Sequence, residues 1–297
     1  MQTDSTLKEN VTHGTKKNPI TGIRFRAGAH TMYPDHFFVD LHWHHSIEII
    51  SIVKGSYLFE INLETYRLNA GDICFLNSGD LHRITGLEPD TLHDVLIFDP
   101  HILEFTYPDE LQEQVVAPFL NHEQIFRNIL PPTDPFHPAA APLINRLMKL
   151  SMERKANWYL SCKLLLIELL SLLTSTQFLQ QADAAWSASD KQKISRYKKV
   201  VSYMEKHYAE HISLDDLAEL VSCNSQYLCR FFREITGYTP IQYLVSYRID
   251  RACELLADTT MPVLEISMEC GFDNVSYFIR KFRQLKGCTP NQFRMHT

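Results

Sequence analysis

The sequence lacks a Cys-x-x-Cys pair, an apolar run long enough to cross a bilayer, and an apolar segment near its start. Its 7 cysteines are scattered, which favours reduced thiols in a cytoplasm over a disulfide framework or a zinc knot. The most apolar stretch, residues 160–174, is interrupted by Lys163 and Glu168 and is too short for a transmembrane helix. Residues 1–19 are polar, unlike a secretory signal. We therefore expect a soluble cytoplasmic protein that contacts no membrane.

Basic residues are scarce overall, but they are unevenly distributed. The chain has 297 residues, enough for two domains, and a formal net charge of −6. Residues 191–297 hold 15 Lys and Arg against 12 Asp and Glu, a net charge of +3, whereas residues 1–190 hold 14 against 23. A basic C-terminal third beside an acidic body is typical of a protein in which one domain contacts a polyanion. This small excess is weak evidence until motifs support it.

The hydrophobic pattern changes type along the chain. Residues 22–99 show strand-like alternation, clearest in YLFEIN at 57–62, with turn residues at hairpin spacing. After Pro100 the pattern becomes helical, and residues 181–192 have the small polar composition of a linker. We predict a multidomain α+β protein. Its segments are a mobile arm (1–19), a β-barrel (20–105), a helical region (106–180), a linker (181–192) and an all-α domain (193–297).

Two similar segments near the end, GYTPIQY at 237–243 and GCTPNQF at 287–293, are separated by 50 residues. Gly237 and Gly287 have the position of left-handed helix C-caps, and a proline follows each one shortly afterwards. Each glycine ends an amphipathic helical pattern with an apolar stripe. The stripe residues are Leu228, Phe231, Phe232 and Ile235 in the first copy, and Phe278, Phe282 and Leu285 in the second.

A shorter helix and a three-residue turn precede each amphipathic helix. Ser213 and Asp216 have capping-box spacing at the start of the first short helix, and Pro262 opens the second. We predict that the longer helices start at Ser225 and at Asn274. The pattern thus predicts two helix-turn-helix units, at residues 213–236 and 262–286, whose second helices can enter successive major grooves of DNA.

More than twenty positions across the two units and the helix between them resemble a known family. They are Ala218, Ser225, Tyr227, Leu228, Arg230, Phe232, Arg233, Gly237, Thr239, Pro240, Tyr243, Arg248, Ala252, Leu255, Leu256, Thr259, Gly271, Phe272, Ser276, Tyr277, Phe278, Arg280, Phe282, Arg283, Gly287, Thr289 and Pro290. This pattern resembles the DNA-binding domain of the AraC/XylS transcriptional regulators. Ser267 and Phe293 depart from it in ways that affect packing only.

The resemblance implies that the exposed faces of the two longer helices contact base edges. The expected base-reading residues are Ser225, Gln226, Cys229 and Arg230 in the first unit, and Asn274, Val275, Ser276, Ile279 and Arg280 in the second. Arginine suits guanine, glutamine suits adenine, and apolar side chains suit the thymine methyl group. Arg233, Lys281, Arg283 and Lys286 are expected to contact phosphates, which adds affinity without sequence information. The implied partners are promoter DNA and RNA polymerase.

The front half contains two histidine-rich segments, HWHHSIEIISIVKG at 42–55 and GDICFLNSGDLH at 71–82. They resemble the two cupin motifs, with Asn77 where the second motif has proline, so the barrel is expected to be cupin-like. Strand alternation would point His42 and His44 into the barrel and Trp43 outward. Together with Glu48 and His82, these histidines form a competent donor set for a divalent transition metal.

Three interpretations of this site remain open: a metalloenzyme, a metal-assisted sensor, and a metal-free effector pocket that requires no cofactor. Cupin barrels fused to this type of DNA-binding domain are generally sensors, which favours the last. The predicted pocket residues are Arg24, Tyr33, His42, Trp43, His44, Glu48, Glu60 and His82. Aromatic and charged groups of this kind suit a sugar or another small polar metabolite. We expect His93 to be a surface or strand-end residue.

The helices at 139–180 are more apolar than one packing layer requires. Leu160 and Leu164 belong to one apolar stripe, and Leu165 and Leu169 belong to a second. A helix that is apolar on two sides needs two partners, and the AraC/XylS resemblance implies a homodimer formed through such helices. The sequence therefore predicts a dimeric, effector-controlled transcription regulator, usually an activator in this family, rather than an enzyme. The alternatives are a cupin metalloenzyme and a constitutive architectural DNA binder.

Overall fold

The computed structural model describes residues 20–26, 37–107, 109–176 and 178–296. The predicted arm at 1–19 and the predicted pocket residue Tyr33 lie outside this part of the chain. The chain divides into two compact units, Met1–Ser187 and Ala188–Thr297. The division falls inside the predicted linker, at residues 181–192.

The first unit is built on two antiparallel sheets. Its strands are β1 (Ile20–Arg26), β2 (Phe38–His42), β3 (Ile47–Lys54), β4 (Ser56–Ile61), β5 (Glu64–Asn69), β6 (Ile73–Leu76), β7 (His82–Gly86), β8 (Leu92–Phe98), β9 (Gln124–Phe126), β10 (Ile129–Leu130) and β11 (Leu179–Gln181). One sheet has the order β1-β8-β3-β6-β10 and the other β2-β7-β4-β5, while β9 and β11 form a separate ribbon. The predicted cupin-like β-domain is confirmed.

Strand alternation separates two apolar cores in this unit. Ile50 and Val95 face the second sheet and pack with Phe59 and Ile84 inside the barrel. The alternate residues of the same strands, such as Ile49, face outward and pack against helices. Because both faces of β3 are covered, its first four residues are all buried.

The helices of the first unit follow the barrel strands. A 3₁₀ turn (Pro100–Leu103) and a π-helical turn (Gln112–Val116) lead into α1 (Ala117–Leu120), which is followed by α2 (His137–Glu153), α3 (Trp158–Ser175) and α4 (Ala182–Ala185). The α3 helix is long and apolar enough to cross a membrane by length and composition. Six of its 18 residues are buried in the core outside the barrel.

The chain after α3 differs from the sequence expectation. The predicted helical region continues to residue 180, but α3 ends at Ser175 and Leu179–Gln181 form β11. The predicted linker is also shorter than expected, because α4 occupies four of its residues and the first helix of the second unit starts at Ala188. A three-residue strand paired with an equally short β9 has no periodicity to reveal it.

In the described residues of the second unit, the secondary structure consists of helices joined by short turns. Its helices are α5 (Ala188–His207), α6 (Leu214–Leu220), α7 (Ser225–Thr236), α8 (Pro240–Asp258), α9 (Val263–Glu269), α10 (Val275–Lys286) and α11 (Pro290–His296). The α6–α7 and α9–α10 pairs are the two predicted helix-turn-helix units, and the predicted all-α domain is confirmed. The apolar stripes are buried as expected, except that Leu285 is 43% exposed.

The repeated GYTPIQY and GCTPNQF segments each end one helix and begin the next. Gly237 and Gly287 have φ of 80° and 74°, the left-handed C-cap conformation that glycine adopts without strain. Thr239 then caps α8, with its hydroxyl accepting from the Gln242 N–H and the Gln242 side chain accepting from the Thr239 N–H. The same reciprocal pair recurs between Thr289 and Gln292. The motif is therefore a C-cap joined to a capping box, used twice.

Candidate functional site

A bulge in β2 places the first histidine of the barrel site. The pairing of β2 with β7 shifts in register between Val39 and His42. A bulge of this kind adds one residue to a strand and re-aims the side chains beyond it. Asp40 consequently lies near Arg83 on the outer face, whereas the ring centroid of His42 lies 4.2 Å from that of His82.

His44 reaches the same place from a loop. The β2 strand ends at His42, so His44 lies in the connection to β3, and the prediction of both histidines on one strand face is corrected. The Gly79 N–H holds this loop by donating to the carbonyl of His44 at 2.7 Å. His44 Nε2 then lies 2.9 Å from Glu48 Oε1, and both side chains are buried.

Backbone carbonyls orient the three imidazoles. The Nδ1–carbonyl pairs are His42 to Asp40 (2.8 Å), His44 to Ser46 (3.0 Å) and His82 to Asp80 (2.9 Å). Because a carbonyl oxygen only accepts, each Nδ1 is the donor, and the Nε2 of His44 is bonded to Glu48. The metal-binding atoms that the three histidines offer lie within 4.8 Å of one another. His82 Nε2 is buried and has no hydrogen-bond partner among the described residues.

The charges of the site follow from burial and from Glu48. Burial lowers the pKa of His44, but the hydrogen bond and charge of Glu48 outweigh it, so this pKa is raised. Burial raises the pKa of Glu48, and His44, His82 and His42 more than offset it and hold this pKa at about 2. Burial, followed by the charge of His42, lowers the pKa of His82 well below its usual value. The site thus combines an ionised carboxylate with a neutral His82.

A buried carboxylate lies directly behind His82. Asp80 accepts hydrogen bonds from the side-chain amides of three residues, Asn62 (2.6 Å), Asn77 (3.2 Å) and Asn128 (3.1 Å), and from the Asn77 N–H (2.8 Å). Burial raises the pKa of Asp80, and these donors work against that shift. Sequence analysis missed this cluster, because isolated Asn and Asp residues near turns are read as turn formers.

Two predicted pocket residues lie outside the barrel. Arg24 pairs with Asp94 through two hydrogen bonds of 2.6 and 2.7 Å, and Asp94 alternates with the inward-facing Val95. Glu60 lies between the buried, inward-facing residues of β4 and forms an ion pair with Arg83 at 3.1 Å. Both carboxylate–arginine pairs are thus on outer faces, which corrects their assignment to the pocket. Trp43 is half-buried in the loop between His42 and His44.

His93 is the reverse case, since it was expected at the surface and is buried inside the barrel. Its Nδ1 lies 2.8 Å from the Tyr57 hydroxyl, and the rings of Phe25, Phe37 and Tyr57 surround it at centroid distances of 5.3, 4.5 and 5.0 Å. Burial lowers the pKa of His93 to about 4. His93, Val95 and Ile97 alternate along β8 and therefore share one face of the strand. This alternation indicates that His93 points inward, but it was expected at the surface because histidine is polar.

The second helix of each helix-turn-helix unit presents an arginine in the same way. Arg230 on α7 and Arg280 on α10 are exposed, and their guanidinium carbons lie 5.5 and 5.3 Å from the ring centroids of Tyr227 and Tyr277. This repeated cation–π contact orients both arginines along the helix surface. The other exposed residues of the predicted faces are Gln226, Arg233, Asn274, Ser276, Ile279 and Arg283, while Ser225, Cys229, Val275, Lys281 and Lys286 are half-exposed.

Three predicted DNA contacts have partners within the unit. The Ser225 hydroxyl donates to Asp215 of α6. Asn274 is the N-cap of α10 and its side chain accepts from the Tyr277 N–H at 2.9 Å, so its oxygen has a capping role. Lys286 lies 2.7 Å from Asp250 of α8. Sequence analysis also missed Arg196, which lies 5.6 Å over the Tyr227 ring from α5, outside the repeat.

Comparisons with known proteins match both units. Residues 26–170 match the family described as AraC-like ligand binding domain, and residues 217–296 match a helix-turn-helix domain. The chain belongs to the AraC/XylS family of transcriptional regulators. It is 28% identical to the HTH-type transcriptional regulator YdeC of Bacillus subtilis strain 168, over 98% of this chain and 97% of that protein. It is 24% identical to the HTH-type transcriptional activator RhaS of Escherichia fergusonii, over 85% and 86%.

Among solved structures, this AraC/XylS regulator is similar to the C-terminal domain of AraT, a response regulator from Geobacillus stearothermophilus. The two are 30% identical, the match covers 34% of this chain and 85% of that one, and the TM-score is 0.33. Family and relatives make the protein a DNA-binding transcription regulator with a ligand-binding domain, and not an enzyme.

Proposed function

We propose that this AraC/XylS regulator is a cytoplasmic transcriptional activator, controlled by a small molecule bound at the His42–His44–His82 site of the barrel. The observation that carries the proposal is the convergence of three histidines whose Nδ1 atoms are already bonded to carbonyls. His82 Nε2 is buried with no hydrogen-bond partner among the described residues, and burying a polar nitrogen in this way costs free energy. A ligand that binds this nitrogen offsets that cost.

The favoured effector is a sugar or a similar polyhydroxylated metabolite. The ionised Glu48 accepts hydrogen bonds from hydroxyl groups, and the neutral His82 offers its Nε2 lone pair to another. Groups that hydrogen-bond a substrate hydroxyl discriminate strongly against analogues without it, because the protein groups are then left unpaired. Trp43, half-buried in the same loop, is proposed to supply an aromatic face.

A metal-dependent sensor is the second candidate, and the same geometry favours it specifically. Three imidazoles with fixed Nδ1 donors and a neighbouring carboxylate are the donor set and the second shell of a divalent transition-metal site. His42, His44 and His82 would hold the ion, and Glu48 would either join them or neutralise its charge. A bound ion would supply a Lewis-acidic position at which an anionic or hydroxylated effector binds.

One thermal-shift experiment on the full chain separates the two candidates. Sugars are tested with and without EDTA, and Zn²⁺, Mn²⁺, Ni²⁺ and Co²⁺ are tested alone. A ligand at 100 times its dissociation constant stabilises the folded state by about 2.7 kcal/mol, a shift of a few degrees. His82→Gln should abolish the shift. His93→Gln, which changes another buried histidine of the same barrel, should retain it.

The outcomes of this screen are distinct. A sugar shift that is insensitive to EDTA supports the metal-free pocket, and a loss of stability in EDTA that one metal reverses supports the metal sensor. A shift that His82→Gln leaves unchanged would place the effector elsewhere and refute the site. An operator footprint identical with and without every ligand that binds would instead support a constitutive DNA-binding protein.

DNA recognition is proposed to use α7 and α10. The exposed Arg230 and Arg280 read bases together with Gln226, Ser276 and Ile279, and Arg233 and Arg283 contact phosphates. Their equivalent positions in two units support readout of two successive major grooves. Lys281, Cys229 and Val275 lie on the same faces with less exposure. RNA polymerase is the expected partner of an activator that has bound its promoter.

The regulator is proposed to act as a homodimer through α3. Leu160 and Leu164 are both 60% exposed and lie one turn apart, whereas Leu165 and Leu169 are buried in the core of the same protomer. An exposed leucine pair at this spacing forms the apolar stripe on which a second helix packs. Two DNA-binding units per dimer would contact two half-sites.

A further inference from the structure

The chain uses Asn77 to join the histidine site to the β9–β11 ribbon. Its side chain pairs with a single residue of β9 as a neighbouring strand would, because Oδ1 accepts from the Phe126 N–H (2.9 Å) and Nδ2 donates to the Phe126 carbonyl (3.1 Å). A proline at this position could form neither bond. Phe126 in turn pairs with Leu179 of β11.

The same asparagine is tied to the histidine site on its other side. Its N–H and its side-chain amide both donate to the carboxylate of Asp80, and the carbonyl of Asp80 accepts from His82 Nδ1. Asn128, which directly precedes β10, also binds this carboxylate. Its side chain donates to Asp80 and to the carbonyl of Phe75 in β6. Asn77, Asp80, His82 and Asn128 are all at most 8% exposed.

The β9–β11 ribbon lies close in sequence to the start of the second unit. The β11 strand ends at Gln181, and the second unit begins at Ala188 after the four-residue α4. A change in the position of β11 therefore alters the segment that leads into the DNA-binding unit. A hydrogen-bonded route runs from His82 through Asp80 and Asn77 to Phe126, and the neighbouring Arg127 N–H donates to the Phe178 carbonyl, next to β11, at 3.1 Å.

We infer that the Asn77–Asp80 pair is a positioning device that fixes His82 for the effector and transmits occupancy of the histidine site to the β9–β11 ribbon. This inference rests on the proposed effector site. Buried polar networks have few alternative arrangements, since every donor that moves must find another acceptor. A ligand that pulls on the His82 ring changes the bond to the Asp80 carbonyl, and the cluster passes that change to Phe126.

The chain offers a matched control for this route. Asn62 also donates to Asp80, at 2.6 Å, and its Oδ1 accepts from the Leu81 N–H within the barrel. None of the hydrogen bonds shown for the Asn62 side chain reaches the β9–β11 ribbon. Asn62 has φ of 49°, so Asn62→Gly removes the amide without backbone strain. Asn62→Gly and Asn77→Ala each remove one buried amide from Asp80, but only Asn77→Ala detaches β9.

The test is a double-mutant cycle in the full chain, read by hydrogen–deuterium exchange of peptides that cover 124–126 and 179–181. Asn77→Ala should accelerate exchange in both peptides about tenfold, because it leaves the buried backbone groups of Phe126 unpaired. His82→Gln should accelerate them severalfold in the wild-type background and have no further effect in Asn77→Ala. Asn62→Gly should leave the His82→Gln effect intact. Peptides from β4 and β5 report any global loss of stability.

Additive effects of Asn77→Ala and His82→Gln on the ribbon peptides would overturn the inference, since independent sites add and coupled sites do not. An equal loss of coupling in Asn62→Gly would also overturn it. If Asn77→Ala does not fold, Asn77→Ser retains an acceptor of smaller reach and takes its place. No ligand is needed in this cycle, so its result is independent of the thermal-shift screen, which tests the effector site itself.

Discussion

Replacing the two equivalent arginines of the helix-turn-helix units tests the proposed reading of DNA most directly. Arg230 and Arg280 are exposed, and their described contacts with Tyr227 and Tyr277 are cation–π contacts worth about 0.5–1 kcal/mol at exposed sites. Alanine at either position should therefore change the free energy of unfolding by less than about 1 kcal/mol. The effect on specific DNA binding should be larger, because a bidentate contact with guanine contributes about 1–3 kcal/mol of discrimination.

The assay is fluorescence anisotropy with an operator selected from a random duplex library and with a scrambled duplex, at one salt concentration. Each single variant should weaken operator binding by about 5- to 150-fold and leave binding to the scrambled duplex nearly unchanged. The two arginines lie in different helix-turn-helix units and share no partner. The double variant should therefore lose about the sum of the two single losses in binding free energy, roughly 2–6 kcal/mol. Repeating the selection with each variant should relax base preference in one groove only.

Arg283→Ala is the matched control, because Arg283 is exposed on the same helix as Arg280 and is proposed to contact a phosphate. This variant should weaken binding to the operator and to the scrambled duplex equally. It should also lower the slope of log K against log salt by about 1. If Arg230→Ala and Arg280→Ala behave like Arg283→Ala, or leave the selected sequence unchanged, the assigned reading face is wrong.

Three further outcomes follow from the structure. Leu164→Glu should convert the proposed dimer to a monomer in sedimentation velocity, because it places a charge in the proposed apolar interface; Leu87→Glu, at a 42% exposed leucine elsewhere, should not. Thr289→Ala removes a helix N-cap and should lower the free energy of unfolding of the second unit by about 1 kcal/mol in urea titrations, whereas Thr289→Ser should preserve it. The pKa of His93 is lowered to about 4 by burial, despite the opposing charges of Glu48 and Asp94, so protonation is favoured in the unfolded state. Stability of the first unit should fall from about pH 6.5 toward pH 4, and this slope should be shallower in His93→Gln; an identical slope in both proteins would refute it.

The helical half of this protein could be predicted almost completely from its sequence. Helix periodicity and capping residues act within a few residues of one another, so local chemistry determines the elements. The repeat at an offset of 50 residues then identifies the two equivalent units. Leu285 was assigned to the second stripe by its helical spacing from Phe278 and Phe282, whereas the last turn of α10 is exposed. The side-chain partners of Ser225 and Lys286 come from other helices, which no local pattern encodes.

The barrel site could be predicted in its composition but not in its arrangement. The spacing of His42, His44 and His82 was informative because strand parity is regular, yet the bulge in β2 and the early end of that strand altered which element holds each residue. Arg24 and Glu60 were assigned to the pocket by residue type, and their cross-strand partners show that they face outward. The Asn77 network depends on contacts between residues about 50 positions apart, which sequence pattern alone does not reveal.

The central helix α8 sets the spacing between the two helix-turn-helix units. Both helix-turn-helix units contact it, and the capping boxes at Thr239 and Thr289 fix where it begins and where the helix after the second unit begins. A helix of 19 residues is about 28 Å long, and each residue added to it would advance the second unit by about 1.5 Å and rotate it by about 100°. On the proposed reading of DNA by α7 and α10, the length of α8 therefore fixes the distance between the two recognised sequences. A change in that distance would require a change in α8, whereas a change in base identity would require only a new side chain on α7 or α10.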